Sequence, residues 1–210
     1  MKLPLLTAFA LFGCFGAAAQ SFGDDVHAWQ EHYKQEFLTD PRSPVKEKDT
    51  AYLRFFPAAA KWRLQAEVVL TPEALPFDMA THSGKTKRFR QYAKLKFPNP
   101  LSRKGQSLTL SAFERVDRPA SDTQAARTLF IPFQDKTNGS TTYGGGRYMD
   151  VMKTEIEQGK MLLDFNKAYN PYCAFGEGFS CPIPPDENRL SITVQAGEKL
   201  PAPPLLPKDE

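Results

Sequence analysis

The chain has little of what usually announces a chemistry. It holds three cysteines, three histidines and two tryptophans in 210 residues, so it cannot repeat a Cys/His metal cassette. His27 and His32, five positions apart, fall about 140° apart around a helix, and HAWQEH is not a zincin spacing. Charge of one sign is also missing. Basic and acidic residues number 27 and 24, a formal net charge of +3, and nothing in that balance calls for nucleic acid or an anionic membrane. Apolar runs long enough to span a bilayer, roughly 20 residues, are absent as well.

Two short matches to known motifs lack their context. Gly84-Lys85-Thr86 has the spelling of a phosphate loop's end, but Met79 stands where the earlier glycine belongs and a strand pattern follows. Ser43-Pro44-Val45-Lys46 spells an acyl-enzyme motif with no buried helix behind it. No cofactor and no metal site is expected.

What is present begins with MKLPLLTAFALFGCFGAAAQ. Lys2, an apolar run from Leu3 to Phe15 and Ala17-Ala18-Ala19 follow the order of a secretory signal peptide. Residues 1–19 are therefore expected to be a leader, with Gln20 as the mature start and a periplasmic or secreted destination. Lipoprotein processing at Cys14 is the alternative, since Leu11-Phe12-Gly13-Cys14 resembles a lipobox. Residues 20–199 are expected to form one domain, and 200–210, LPAPPLLPKDE, a proline-rich flexible tail.

Periodicity supplies the fold class. Val26, Trp29, Tyr33 and Phe37 recur at helical spacing between a cap at Asp24 or Asp25 and a stop at Asp40-Pro41. From Tyr52 the period becomes two. Trp62 to Leu70, Phe89 to Phe97, Leu108 to Ala112 and Leu190 to Val194 alternate as half-buried strands, and Leu129–Phe133 and Met161–Phe165 suit fully buried ones. Asn138-Gly139 is a hairpin signal. The expected fold is mainly β, an antiparallel sandwich or barrel-like sheet with one N-terminal amphipathic helix and a long polar loop region.

Polar features concentrate in two places. Arg88, Arg90, Lys94 and Lys96 read as one cationic strand face, a docking stripe for a polyanion or a solvated face that prevents wrong pairing. The second is Thr137 to Asn188. Gly144-Gly145-Gly146 there implies close backbone approach or positive φ, a strand corner or an amide surface for an anion with Arg147 beside it. Tyr143, Gly145, Arg147, Asp164, Asn166, Tyr169, Asn170 and Asn188 are the candidate ligand-binding residues. Their amides could equally fold the loop on itself. Once the leader has gone, Cys173 and Cys181 are an even pair in an oxidising compartment, a candidate disulfide, with a reactive thiol or a metal-ligand pair as alternatives.

TYGGGRYMDV at 142–151, LDFNKAYNPYCAFGEGFSCPIPPDEN at 163–188 and QAGEK at 195–199 resemble the bacterial family called domain of unknown function 1684. LFIPFQDKTNG at 129–139 and the Arg88-to-Phe97 strand are similar to it too. The resemblance implies a bacterial domain, envelope-directed where a leader is present. It aligns Asp135, Thr137, Tyr143, Arg147, Asp164, Asn166, Tyr169, Asn170, Cys173, Cys181 and Asn188 with the family's pattern without giving any a role. Members without a leader would keep these cysteines reduced, as packed thiols or ligands. The expectation is an exported envelope protein, non-catalytic or small-ligand-binding, whose partner is a small ligand or an envelope component and not nucleic acid. A hydrolase drawing on Asp164, Cys173, Arg147 and His82 in the 137–188 loops is the alternative.

Overall fold

The computed structural model describes residues 14–203 except 103 and 120. Most of the expected leader, residues 1–13, and the tail beyond 203 lie outside the described residues. Helix α1 runs Cys14–Thr39. Asp24 and Asp25 therefore lie inside the helix and not at its cap, because the alanine-rich stretch before them is itself a strong helix former. Asp25 pairs instead with Arg63 and, at 3.6 Å, with Lys167, tying α1 to the sheet.

Seven strands form one antiparallel sheet: β1 Arg63–Leu70, β2 Phe77–Ala80, β3 Thr86–Pro98, β4 Ser107–Arg115, β5 Thr128–Phe133, β6 Arg147–Met152 and β7 Lys160–Asp164. Their order is β6-β5-β4-β3-β1-β7, with β2 pairing onto β3. The sheet curls into a half-barrel, so of the two expected β arrangements the barrel-like one is adopted. Its inner face carries the main core, with Trp62, Ala66, Leu95, Phe97, Leu110, Ile131, Phe133, Leu163 and Phe165 all buried. Helix α1 packs elsewhere, its Tyr33 and Phe37 joining Val45, Leu53, Ala174 and Phe175 in a second cluster.

One irregularity redirects β3. Gln91 pairs with Phe113 but Ala93 pairs with Ala112, so Tyr92 is an extra, bulged residue. Because side chains alternate with period two, the bulge exchanges the faces on either side of it. Ala93, Leu95 and Phe97 point into the core, whereas Phe89 joins Met79 and Phe113 in a separate cluster outside it. The cationic stripe is corrected in the same way. Arg90 pairs across the strand with Glu114 and Lys94 with Ser111, three residues apart on β4, so the Arg88–Arg90 pair and the Lys94–Lys96 pair face opposite ways.

Leu190 to Val194 is not a strand. Leu190 and Val194 are buried in alternation with exposed Ser191, as extended chain allows, but the segment's backbone hydrogen bonds to main chain run to the β5 end, Leu190 N to Gln134 O and Lys136 N to Ile192 O, and build no strand ladder. Asn138-Gly139 lies within the long connection between the antiparallel neighbours β5 and β6, not in a two-residue hairpin. Leu200 to Ala202, where the proline-rich stretch begins, is docked: Leu200 N bonds Thr141 O, Ala202 N bonds Tyr52 O, and Arg54 holds the Leu200 carbonyl. No helix among the described residues is long and apolar enough to cross a membrane.

Candidate functional site

The amides of the polar segment close the ends of the half-barrel. A strand end leaves backbone N–H and C=O groups without a ladder partner, and an Asn side chain offers one acceptor and two donors to meet them. Asn188, fully buried, accepts from Ser111 N at 2.7 Å and donates to Ser111 O at 2.8 Å and Pro132 O at 2.7 Å. Asn166 accepts from Ala59 N at 2.9 Å and donates to Asp164 at 2.8 Å. Asn170 donates to Lys199 O at 2.8 Å. Asp164 lies on the cleft described below and also bonds Arg63 at 2.7 Å.

Arg147 is wholly buried. β6 sends it inward, where its guanidinium meets Asp135 at 2.8 Å and the carbonyls of Val194, Ala196 and Glu198. An anion resting on the glycine run would not reach it. The glycines serve close approach instead. A Cβ on Gly145 would stand 2.4 Å from the Tyr143 ring and 2.6 Å from His82 Nε2, and Gly146 combines φ of +96° with a Cβ position 2.7 Å from Phe133 O. Next to Arg147, Glu198 accepts from Tyr33 OH at 2.8 Å and Asn170 N at 2.7 Å. Burial pushes its carboxyl up from 4.5 to about 8. One buried guanidinium thus stands with two carboxyls: Asp135 holds the direct pair and three further donors from Thr137 and Val194, whereas burial disfavours the charged form of Glu198.

Cys173 and Cys181 are joined in a disulfide. Closing so short a loop stabilises by about 2–3 kcal/mol on the chain-entropy estimate. Arg147, Asp164, Cys173 and His82 do not assemble into one constellation. Arg147 is sealed in the core, Asp164 is held by Arg63, Cys173 is in the disulfide and His82 is exposed beside Tyr143. No group of three His, Cys, Asp or Glu among the described residues could hold a metal.

A cleft of about 1350 Å³ lies between α1 and the outer face of β3 to β6. Period-two geometry decides its floor. Arg147, Met149 and Val151 face inward, so Tyr148, Asp150 and Met152 face the cleft, opposite Phe130 and Thr128 on β5. The bulge at Tyr92 adds Phe89, and with it Lys87 and Arg115.

Aromatic rings touch one another all along this wall. Phe89 stacks on Phe130 at 5.4 Å, Phe130 meets Tyr148 at 4.7 Å, and Tyr148 meets Tyr169 at 5.8 Å. Tyr169 meets Tyr33 at 5.8 Å, and Tyr33 contacts both Trp29 and Phe37. Phe37 continues to Tyr172 and Tyr172 to Phe179, which the disulfide loop carries. Among the described residues these nine rings form one connected row, and all nine line the cleft.

Asp150 sits amid the row, accepting from Tyr169 OH at 2.5 Å. Solvent reaches it through the mouth of the cleft while protein surrounds it on the other sides. That burial, with the Glu36 carboxylate adding to it and the Tyr169 hydrogen bond opposing, raises its pKa from 3.8 to about 6. Tyr148 OH is committed to Pro182 O at 2.5 Å, and burial pushes its own pKa up.

Of the residues expected from sequence, Tyr169, Asn170, Asp164 and Cys181 border this cleft, whereas Asn166 and Asn188 close the barrel. Lys87, Phe89, Arg115, Phe130 and Asp150 were not expected there. The alternation in Arg147-Tyr148-Met149-Asp150-Val151-Met152 is the signal that could have found Asp150, a lone carboxylate on the aromatic face of a strand.

A family model described as a protein of unknown function, DUF1684, matches residues 49–199, which takes in the whole sheet and the polar segment. The solution NMR structure of an uncharacterized protein from Haloarcula marismortui is similar, with 31% sequence identity and a TM-score of 0.65 over 88% of this chain and 97% of that one. No curated protein matches.

Proposed function

The chain belongs to the DUF1684 family, described only as of unknown function, and we propose that it is an exported module binding one small, largely apolar ligand in the cleft between α1 and β3 to β6. The connected row of nine rings carries this reading. Small-molecule sites are concave, mostly apolar and furnished with a few polar groups that fix orientation. Here Asp150 and the Tyr169 hydroxyl supply the polar groups. Rings held by other rings have little rotamer freedom to lose, so stacking a ligand on them costs little ordering entropy.

Uncharged N-phenyl-1-naphthylamine is the test probe. It should bind the purified protein at one saturable site, seen as a rise in its fluorescence. Phe130→Leu keeps the wall apolar but removes its central ring, and should weaken binding roughly fivefold to tenfold, the worth of one aromatic contact. Absence of saturable binding, or no change in the variant, would defeat the binding role. The export half rests on Lys2, the apolar run and Ala17-Ala18-Ala19. N-terminal sequencing of the full chain expressed in a bacterial host should read from Gln20 in the periplasmic or culture fraction. Recovery from the cytoplasm with Met1 retained would end it.

A further inference from the structure

We infer that the cleft selects anionic amphiphiles, seating an acid group against Lys87, Arg115 and Arg118 while the apolar body lies along the rings toward Asp150; this rests on the binding role proposed above. Lys87 and Arg115 share the outer face, since Arg115 is the cross-strand partner of Phe89 and Lys87 lies two residues before it. Arg118 follows in the next turn, and all three line the cleft.

Their charges are unevenly satisfied. Arg115 is held by Asp117 at 2.6 Å and Arg118 more loosely by Asp122 at 3.7 Å. Lys87 forms no ion pair among the described residues, although it is part-buried. Burial first, then the charges of Arg115 and Arg118, press its pKa down, with the Asp117 carboxylate opposing them. A crowded cation with no ion-pair partner of its own, opposed only by the Asp117 carboxylate that Arg115 already holds, costs stability that the fold does not require, and an acid group placed there would relieve both the crowding and the lost hydration.

The other end of the cleft sets the direction. Arg115 on β4 and Asp150 on β6 are two strand spacings apart and two residues out of level, roughly 12 Å in all, the reach of a medium-chain acid. The Asp150 carboxylate repels an acid at its own end and accepts a hydrogen bond from a hydroxyl there. Between the two lies Phe130 on β5, in ring contact with Phe89 on one side and Tyr148 on the other.

The experiment displaces N-phenyl-1-naphthylamine from the full chain with decanoate, decanol or decyltrimethylammonium at low salt. Decanoate should displace the probe at a concentration at least tenfold lower than decyltrimethylammonium and below that of decanol. The double variant Lys87→Gln/Arg118→Gln should bind the neutral probe as before but lose the advantage of decanoate over decanol. Removing a charge at Lys87 that forms no ion pair among the described residues is not expected to harm folding. Equal displacement by all three amphiphiles, or an advantage that survives in the double variant, overturns the head-group assignment while leaving the binding role intact. If the neutral probe does not bind at all, both fall. Sedimentation with phosphatidylglycerol vesicles, against phosphatidylcholine, separates the sources. Capture that depends on Lys87 and Arg118 identifies a lipid headgroup, and decanoate binding without capture identifies a free acid; either supports the shared chemistry.

Discussion

Replacing Arg147 by methionine should cost about 3–5 kcal/mol, the penalty for breaking a buried ion pair from one side. Folded domains hold only about 5–15 kcal/mol in reserve, so a large part of the native state is at stake. The loss has two sources. Asp135, also buried, would keep its hydrogen bonds from Thr137 and Val194 N but lose the guanidinium it pairs with. The carbonyls of Val194, Ala196 and Glu198 would lose donors that no water can replace in a closed core. Since these carbonyls belong to the segment beneath the half-barrel, that segment should detach first, and urea denaturation should show a lowered midpoint. Adding Asp135→Asn should restore part of the loss by removing the stranded carboxylate. A single-variant loss under about 1 kcal/mol would mean that the pair is not what holds the segment.

Arg147 also shows where sequence reading stops. Beside three glycines it suggests an anion partner, and the true acceptors lie twelve residues upstream at Asp135 and some fifty downstream at Val194 to Glu198. No local pattern joins such distances. The strands were legible wherever one face met the core without interruption, as at Leu64, Ala66 and Val68. β3 misled because a single bulged Tyr92 moved Phe89 to the other face, and alternation counted in the sequence cannot register an added residue. Leu190 to Val194 misled in the opposite sense: its burial alternates, but no neighbouring strand is present to complete a ladder. Asn166, Asn170 and Asn188 stand out in the sequence because amide groups gather where backbone ladders end. The cleft was the least visible feature, because α1, β3 to β6 and the disulfide loop each bring to it only a few rings.

Stability should fall as pH rises from 5 to 9, and Glu198 should be the main cause. Its carboxyl lies at about 8 in the fold against 4.5 when free, so the folded state binds the proton more tightly than the unfolded chain. The stabilisation is complete below pH 4.5 and is lost as pH climbs through about 8, an effect on the order of 5 kcal/mol. Asp150, raised from 3.8 to about 6, adds a smaller decline in the same direction that ends earlier. The carboxyls of Asp25, Asp40, Glu114 and Asp117 are lowered by their basic partners and act oppositely, but only on the acid side of their ordinary range, so they leave the interval above pH 5 to the raised pair. Glu198→Gln keeps a carbonyl oxygen for Tyr33 OH and Asn170 N while removing the ionisation. The variant should match the parent near pH 5 and exceed it by several kcal/mol at pH 9, read from urea midpoints at each pH. Equal slopes for parent and variant would mean that Glu198 is already ionised in the fold. The buried cluster would then carry a net negative charge, and Arg147 would be balancing two carboxylates instead of one.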